Sequence, residues 1–126
     1  MQLSKVYIVS IKKSIIMNKF IFVALLSVFT LNVMAQDDLA IKATKITNEM
    51  AEVLSLNEED RAKVYQYQLK RFQEVVSFRE IYKDDDQARK VELRKVFNRL
   101  FGKLKKTLGE EKMLQWRDYK REIGRE

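Results

Sequence analysis

The stretch from Leu56 to Tyr82 constrains the fold most, because it contains no glycine or proline and its apolar residues recur at helical spacing. One stripe of this helix consists of Ala62, Tyr65, Leu69, Phe72 and Val76. A second stripe, on nearly the opposite side, consists of Val64, Tyr67, Val75, Phe78 and Tyr82, with Arg71 among them. An ordinary surface helix has one apolar stripe and one polar side. Two stripes predict a helix between two partners: the rest of its own chain, and either a second subunit or a ligand.

The same spacing predicts three further helices, so the fold class expected is all-α with four helices and a long central one. The first runs from about Asp38 to Ser55, and the second continues to Tyr82 or Lys83. The third runs from about Gln87 to Thr107, and the fourth from about Glu110 to Ile123. The inner stripe predicted for the first helix is Leu39, Ala43, Ile46, Met50 and Val53. The inner stripe predicted for the third is Leu93, Phe97, Leu100 and Leu104.

The N-terminal segment has the features of a secretory signal. Lys19 precedes an apolar run of 15 residues from Phe20 to Met34, and Val33-Met34-Ala35 fits a signal-peptidase site with cleavage before Gln36. Spanning a bilayer takes ~20 residues, so a cleaved signal over residues 1–35 is favoured over an uncleaved anchor. Residues 1–16 are explained either by translation starting at Met17 or by a long basic n-region. No stable membrane anchor is expected after cleavage.

Residues 36–126 then form a single all-helical mature domain. A domain of this size buries only ~60–65% of its unfolded surface, so its core is thin. The sequence has no cysteine and no histidine, which excludes disulfides and makes a zinc or copper site improbable. Asp84, Asp85 and Asp86 lack the glycine and closing glutamate of a calcium loop and are predicted to cap a helix. We expect no metal and no cofactor, and we expect a homodimer to compensate for the thin core.

Charge is distributed unevenly along the mature chain. The net charge is −4 over residues 36–86 and +7 over residues 87–126. Between Arg89 and Lys106 eight basic residues face one acid, Glu92. On the third helix, the outer side carries Lys95, Arg99, Lys103 and Lys106, and its flanks carry Arg89 and Lys90 among others. Simple solubility would mix the signs. This surface is therefore either a solvated face or a site for anionic or client partners.

Two related pentads mark two of the three breaks between helices. They are Leu56-Asn57-Glu58-Glu59-Asp60 and Leu108-Gly109-Glu110-Glu111-Lys112, and both have the form Leu-x-Glu-Glu-x. Physically, each supplies an apolar residue before the helix, a cap position and an acidic first turn. In the second, Leu108 is expected to pack against Met113 across the turn.

These features together resemble the Spy/CpxP-like periplasmic proteins, the LTxxQ family, which is named for two Leu-Thr-x-x-Gln pentads placed in this way. The resemblance covers about residues 38–123. Leu56 and Leu108 match outright, while Asp60 and Lys112 replace the glutamine. Asn57 keeps the capping role of the threonine, and Gly109 keeps it poorly.

The resemblance implies a four-helix subunit that dimerises into a curved, cradle-like shell in the periplasm. Such proteins are ATP-independent chaperones or sensors of envelope stress, and they bind unfolded clients on a concave surface of basic and apolar residues. Some relatives bind metals through histidine, which this chain lacks.

An enzyme is improbable, because the mature chain has only Ser55 and Ser77 as serines and no histidine or cysteine to pair with them. No catalytic residue is predicted. The leading hypothesis is reversible capture of unfolded or partner envelope proteins, by attraction to the cations of the third helix and then by contact with exposed aromatics. The client-binding residues predicted are Lys95, Arg99, Lys103, Lys106, Arg89, Lys90, Tyr67, Phe78 and Tyr82.

Two other functions remain open. The basic half has the charge of a nucleic-acid-binding protein, although the signal peptide and the acidic first half count against nucleic acid as a partner. Alternatively, the protein is a structural or accessory helical dimer without client activity, and a fixed partner occupies its second apolar stripe.

Overall fold

The computed structural model describes residues 35–124. From Asp38 onward, the described residues form one compact unit. The predicted signal peptide and the start at Met17 lie outside the described residues, except for Ala35 at the end of the signal.

The described residues form four α-helices and no strand, which confirms the all-α prediction. Helix α1 occupies residues 35–54, where the described range begins. It is followed by α2 (Glu58–Ile81), α3 (Asp86–Leu108) and α4 (Glu110–Ile123). The predicted helix ends differ from these by at most three residues. None of the helices in residues 35–124 is both long enough and apolar enough to cross a membrane.

Side chains cap two of these helices, as predicted. The Oδ1 atom of Asn57 accepts a hydrogen bond from the backbone N–H of Asp60 at 2.8 Å. At the start of α3, Asp85 accepts one from the N–H of Ala88 at 3.0 Å. Both caps satisfy N–H groups that have no partner within the helix. The aspartate run is therefore a cap and a turn.

Helices α2 and α3 form an antiparallel hairpin. Tyr67 pairs with Thr107 near one end, with 3.1 Å between their hydroxyl oxygens. At the other end Arg89 forms an ion pair with Asp86 and donates hydrogen bonds to the carbonyl oxygens of Tyr82 and Lys83, at 3.2 and 3.1 Å. Arg89 thus ties the turn between the helices together.

The core lies at the open end of this hairpin, where all four helices meet. Its buried residues are Met50, Leu54, Val64, Leu104, Leu108 and Met113. Polar contacts join α1 to its neighbours around this core. Arg61 of α2 donates to Asn48 at 2.6 Å, and Gln115 of α4 donates to the carbonyl oxygen of Val53 at 3.0 Å.

The two stripes of α2 differ in burial. Val64 and Val75 of the second stripe are buried, while the first stripe is half-buried or exposed, and Val76 remains 52% exposed. Helix α1 adjoins the first stripe at Ala62 and Tyr65, where the two helices line a shared pocket, and α3 packs against the second stripe at Tyr67. The expectation of a partner outside the chain therefore concerns the first stripe, of which Ala62 and Val76 are exposed, and it stays a prediction.

The inner stripe of α3 is also displaced from the prediction. Phe97 was expected inside but is 47% exposed, whereas Val96 is 1% exposed. Helix α3 packs against α2 on one side and against α4 and α1 on another. Its buried arc is therefore centred between Val96 and Leu104, and Phe97 falls at the edge of that arc.

Substitution by alanine should have opposite effects at two glycines, Gly102 within α3 and Gly109 in the turn that follows it. A Cβ at Gly102 would meet nothing within 4 Å, so Gly102→Ala should raise the free energy of unfolding by ~0.5–1 kcal/mol through helix propensity. Gly109 has φ 87° and ψ 167°, a region essentially restricted to glycine. We therefore expect Gly109→Ala to lower the free energy of unfolding by ~1–3 kcal/mol. Urea denaturation of both variants measures this, and shifts of the same sign would contradict it.

Candidate binding surface

An apolar groove runs between α1, α3 and α4, with α2 at its floor. One part has a volume of about 450 Å³ and is lined by Ile46, Gln68, Arg71, Phe97, Asn98, Leu100, Phe101, Leu104, Met113 and Trp116. An adjoining part of about 340 Å³ is lined by Phe101, Lys105, Glu110, Met113, Leu114, Trp116, Arg117 and Lys120. Three residues line both parts, namely Phe101, Met113 and Trp116. The two parts therefore form one continuous feature, the apolar groove.

The groove has a buried floor and an exposed apolar rim. Leu104 and Met113 in the floor belong to the core. On the rim, Phe101 is 55% exposed and Leu114 is 43% exposed, and Phe97 lies one helical turn before Phe101. Contiguous exposed apolar surface of this kind marks sites of protein interaction more often than isolated exposed residues do.

Cations flank the α4 side of the groove. Lys105 pairs with Glu110 at 3.6 Å, and Lys120 pairs with Glu49 at 3.2 Å. The Nζ atom of Lys120 also lies 5.3 Å from the ring centroid of Trp116. These side chains are exposed, so salt screens them and each ion pair adds little stability.

Trp116 lies in the lining of both parts of the groove. It is the only tryptophan of the sequence, is half-buried, and stacks on Tyr119 with ring centroids 5.5 Å apart. Burial raises the pKa of the Tyr119 phenol, and the nearby carboxylates of Glu49 and Glu52 raise it further. Tyr119 therefore stays protonated at neutral pH. Because Trp116 lines both parts of the groove, a ligand bound there would change its fluorescence.

Arg71 is the one charged residue lining the larger part of the groove. Its Nε and Nη2 atoms donate to the same Gln68 oxygen at 3.2 and 3.1 Å. Its Cζ atom lies 3.8 Å from the ring centroid of Phe72 and 5.8 Å from that of Phe97. Burial lowers the pKa of Arg71, but an arginine remains charged at any physiological pH.

The cations predicted to bind clients lie outside the groove. The four on the outer side of α3 are exposed, as expected. However, Lys95 pairs with Glu92 at 2.8 Å and Arg99 with Glu74 at 3.3 Å. Lys103 lies 5.6 Å from the Tyr67 ring centroid. Lys90 and Lys106 are exposed, while Arg89 holds the hairpin turn.

The three aromatics expected to be exposed are half-buried, so this expectation is wrong. Tyr67 packs against the core and bonds to Thr107. Phe78 lies near the end of α2 and Tyr82 directly follows the helix, with ring centroids 6.1 Å apart. Tyr67 lies on the side of α2 that faces α3, which the helical pattern alone did not distinguish from a face open to solvent.

Both pentads lie at the same end of the molecule, because α2 and α3 are antiparallel. Leu56 packs against the core, and Leu108 and Met113 are both buried in it. Asn57 caps α2 through the N–H of Asp60, and Lys112 is half-buried in the first turn of α4. Gly109 provides no side-chain cap. A threonine there would be strained at this positive φ, so this backbone favours the glycine over the threonine of the pentad.

The sequence reading missed the residues that form the groove, notably Phe101, Leu114, Trp116 and Arg71 as parts of one surface. Phe97 and Phe101 are four residues apart, a spacing that places them on one face of α3. That pair was the sequence signal that could have indicated the groove, since Phe101 lies outside the inner stripe of four residues predicted for α3. The contribution of α4 to the same surface follows only from how the helices pack.

No family model, curated protein or solved structure matches this chain. Among residues 35–124, no three histidine, cysteine, aspartate or glutamate side chains are grouped to hold a metal ion. The resemblance to the Spy/CpxP-like proteins consequently rests on the pentads and on the order of the helices.

Proposed function

We propose that this protein is an ATP-independent, chaperone-like protein of the periplasm, which reversibly binds unfolded or partner envelope proteins in the apolar groove. The observation that carries the proposal is the exposed apolar rim, Phe97, Phe101 and Leu114, above a floor of core residues. A folded chain gains nothing for its own stability by exposing three large side chains beside one another.

Capture would proceed in two steps. Exposed cations on α3 and along the groove first attract an acidic unfolded segment, an effect that extends over about a Debye length, ~8 Å at physiological salt. Apolar side chains of the segment then displace water from Phe101, Leu114 and Trp116. Only part of each rim residue is available for burial, so affinity stays modest and release needs no nucleotide.

The proposal includes export and dimerisation. Residues 1–35 would be removed before Gln36, which the intact mass of the exported protein tests: a mass retaining residues 17–35 contradicts cleavage. The mature chain would form a homodimer, because only nine apolar residues are buried among the described ones. The half-buried Leu69 and the exposed Val76 of α2 lie outside the groove and are available to a second copy.

An aggregation assay tests the proposed function. The mature protein should slow aggregation of a chemically denatured acidic client without ATP, less effectively as salt rises, and it should not bind duplex DNA. Light scattering on the same sample reports the oligomeric state. A dimer that does not slow aggregation and does not change the fluorescence of Trp116 with client would instead support the structural or accessory role, with a second copy covering the groove.

A further inference from the structure

We infer that Arg71 is a carboxylate-binding subsite in the floor of the apolar groove, and that the groove selects unfolded segments in which an aspartate or glutamate lies beside a large apolar residue. This inference rests on the proposed function and specifies which clients the site prefers.

The guanidinium of Arg71 is held in place before any ligand arrives. Gln68 is 2% exposed, and its Oε1 atom accepts hydrogen bonds from both Nε and Nη2 of Arg71. The ring of Phe72 lies against the guanidinium plane at 3.8 Å. A buried amide and an aromatic ring therefore fix the cation, so little side-chain entropy remains to be lost on binding.

Arg71 has no carboxylate partner among residues 35–124. Arg99 pairs with Glu74 and Arg89 with Asp86. Arg79 and Arg94 of the hairpin have no ion pair with a described residue either, but both are exposed to water, whereas Arg71 is half-buried. Nη1 of Arg71 makes no hydrogen bond to a described residue, and the second N–H of Nη2 is also free of Gln68. These donors match the two-pronged geometry with which arginine binds carboxylates. A half-buried cation without a counter-ion is costly, and a ligand carboxylate would offset that cost.

The surroundings of Arg71 decide what kind of carboxylate fits. The groove around it is lined mainly by apolar side chains, among them Phe97 and Leu100 of α3, and Trp116 closes the α4 side. A segment rich in acids alone would lose hydration there without burying apolar surface. A segment with an acidic residue next to a phenylalanine or leucine satisfies the cation and fills the groove together, and unfolded proteins supply such segments.

Two capped peptides test the inference, Ala-Phe-Glu-Leu-Phe-Ala and the same peptide with Gln for Glu, with Trp116 fluorescence as the readout. The mature protein should bind the Glu peptide about tenfold more tightly, as expected for a charge-assisted hydrogen-bonded pair. Arg71→Met should reduce this ratio to about one while still binding the Gln peptide. Arg79→Gln, which removes an exposed arginine of the same helix outside the groove, should leave the ratio unchanged.

The outcomes separate this inference from the proposed function. Equal binding of both peptides by the unaltered protein overturns the Arg71 subsite alone, and so does a Glu preference that survives in a folded Arg71→Met variant. If neither peptide binds and aggregation is not slowed, the proposed function itself fails. Tighter binding of dodecanoate than of the Glu peptide would show that the groove serves an aliphatic carboxylate and would overturn the choice of a peptide ligand. The comparison of peptides on the unaltered protein stands even if Arg71→Met fails to fold.

Discussion

Replacing Met50 by alanine is expected to lower the free energy of unfolding by ~2–5 kcal/mol, the range for large apolar side chains removed from a core. Met50 is completely buried, and it belongs to the cluster in which all four helices meet. Its sulfur also lies 3.6 Å from the Nε2 atom of the buried Gln68. The cavity left by alanine lies between α1 and the helices it joins, so the surrounding side chains cannot close it without moving α1.

Ile41→Ala is the matched control for this prediction. Ile41 lies on the same helix but is 66% exposed, so its replacement should change the free energy of unfolding by no more than ~0.5 kcal/mol. Urea denaturation followed by far-UV circular dichroism measures both. Similar losses in the two variants would mean that α1 does not pack against the other helices through Met50.

The helices were predictable from the sequence, because their limits depend on residues close to one another in the chain. Asn57 and Asp85 start α2 and α3 through side-chain bonds to N–H groups three residues further on, and such local chemistry is visible in sequence. The break between α3 and α4 was equally visible at Gly109. What the spacing could not give was the direction from which each neighbouring helix approaches.

That missing direction explains each wrong assignment. Val96 rather than Phe97 is buried because α2 approaches α3 from the side of Val96. Tyr67 looked like an exposed aromatic of α2, but the antiparallel hairpin places it against Thr107, forty positions along the chain. The groove depends on a similar long-range event, since α4 brings Leu114 and Trp116 beside Phe101 of α3. Contacts of this range have no local pattern in the sequence.

The double substitution of Phe101 and Leu114 by serine is expected to weaken capture of an unfolded client at least about tenfold. Both side chains stand on the rim of the groove and are exposed before binding. Burying apolar surface contributes ~25 cal/mol per Å², so losing two partly buried contacts removes a free energy in the range that corresponds to a tenfold change. The measurement is the concentration of protein that halves the aggregation rate of a denatured client.

The control for this prediction is the double substitution of Ile41 and Val91 by serine. These residues of α1 and α3 are 66% and 44% exposed and lie outside the groove, so they match the rim pair in exposure but not in position. If both double variants weaken capture equally, general surface hydrophobicity binds the client and the groove has no special role. Circular dichroism of each variant confirms that its helices are intact.

A third variant separates the long-range attraction of a client by exposed cations from the apolar contact of the client with the groove. Replacing Lys95, Arg99, Lys103 and Lys106 by glutamine removes four exposed cations without touching the groove. It should slow association at low salt and leave the final degree of capture nearly unchanged, because exposed charges act mainly on the association rate. The Phe101 and Leu114 variant should behave in the opposite way, with weaker capture at every salt concentration. If instead the glutamine variant loses capture as completely as the rim variant, the outer face of α3 is itself the binding surface.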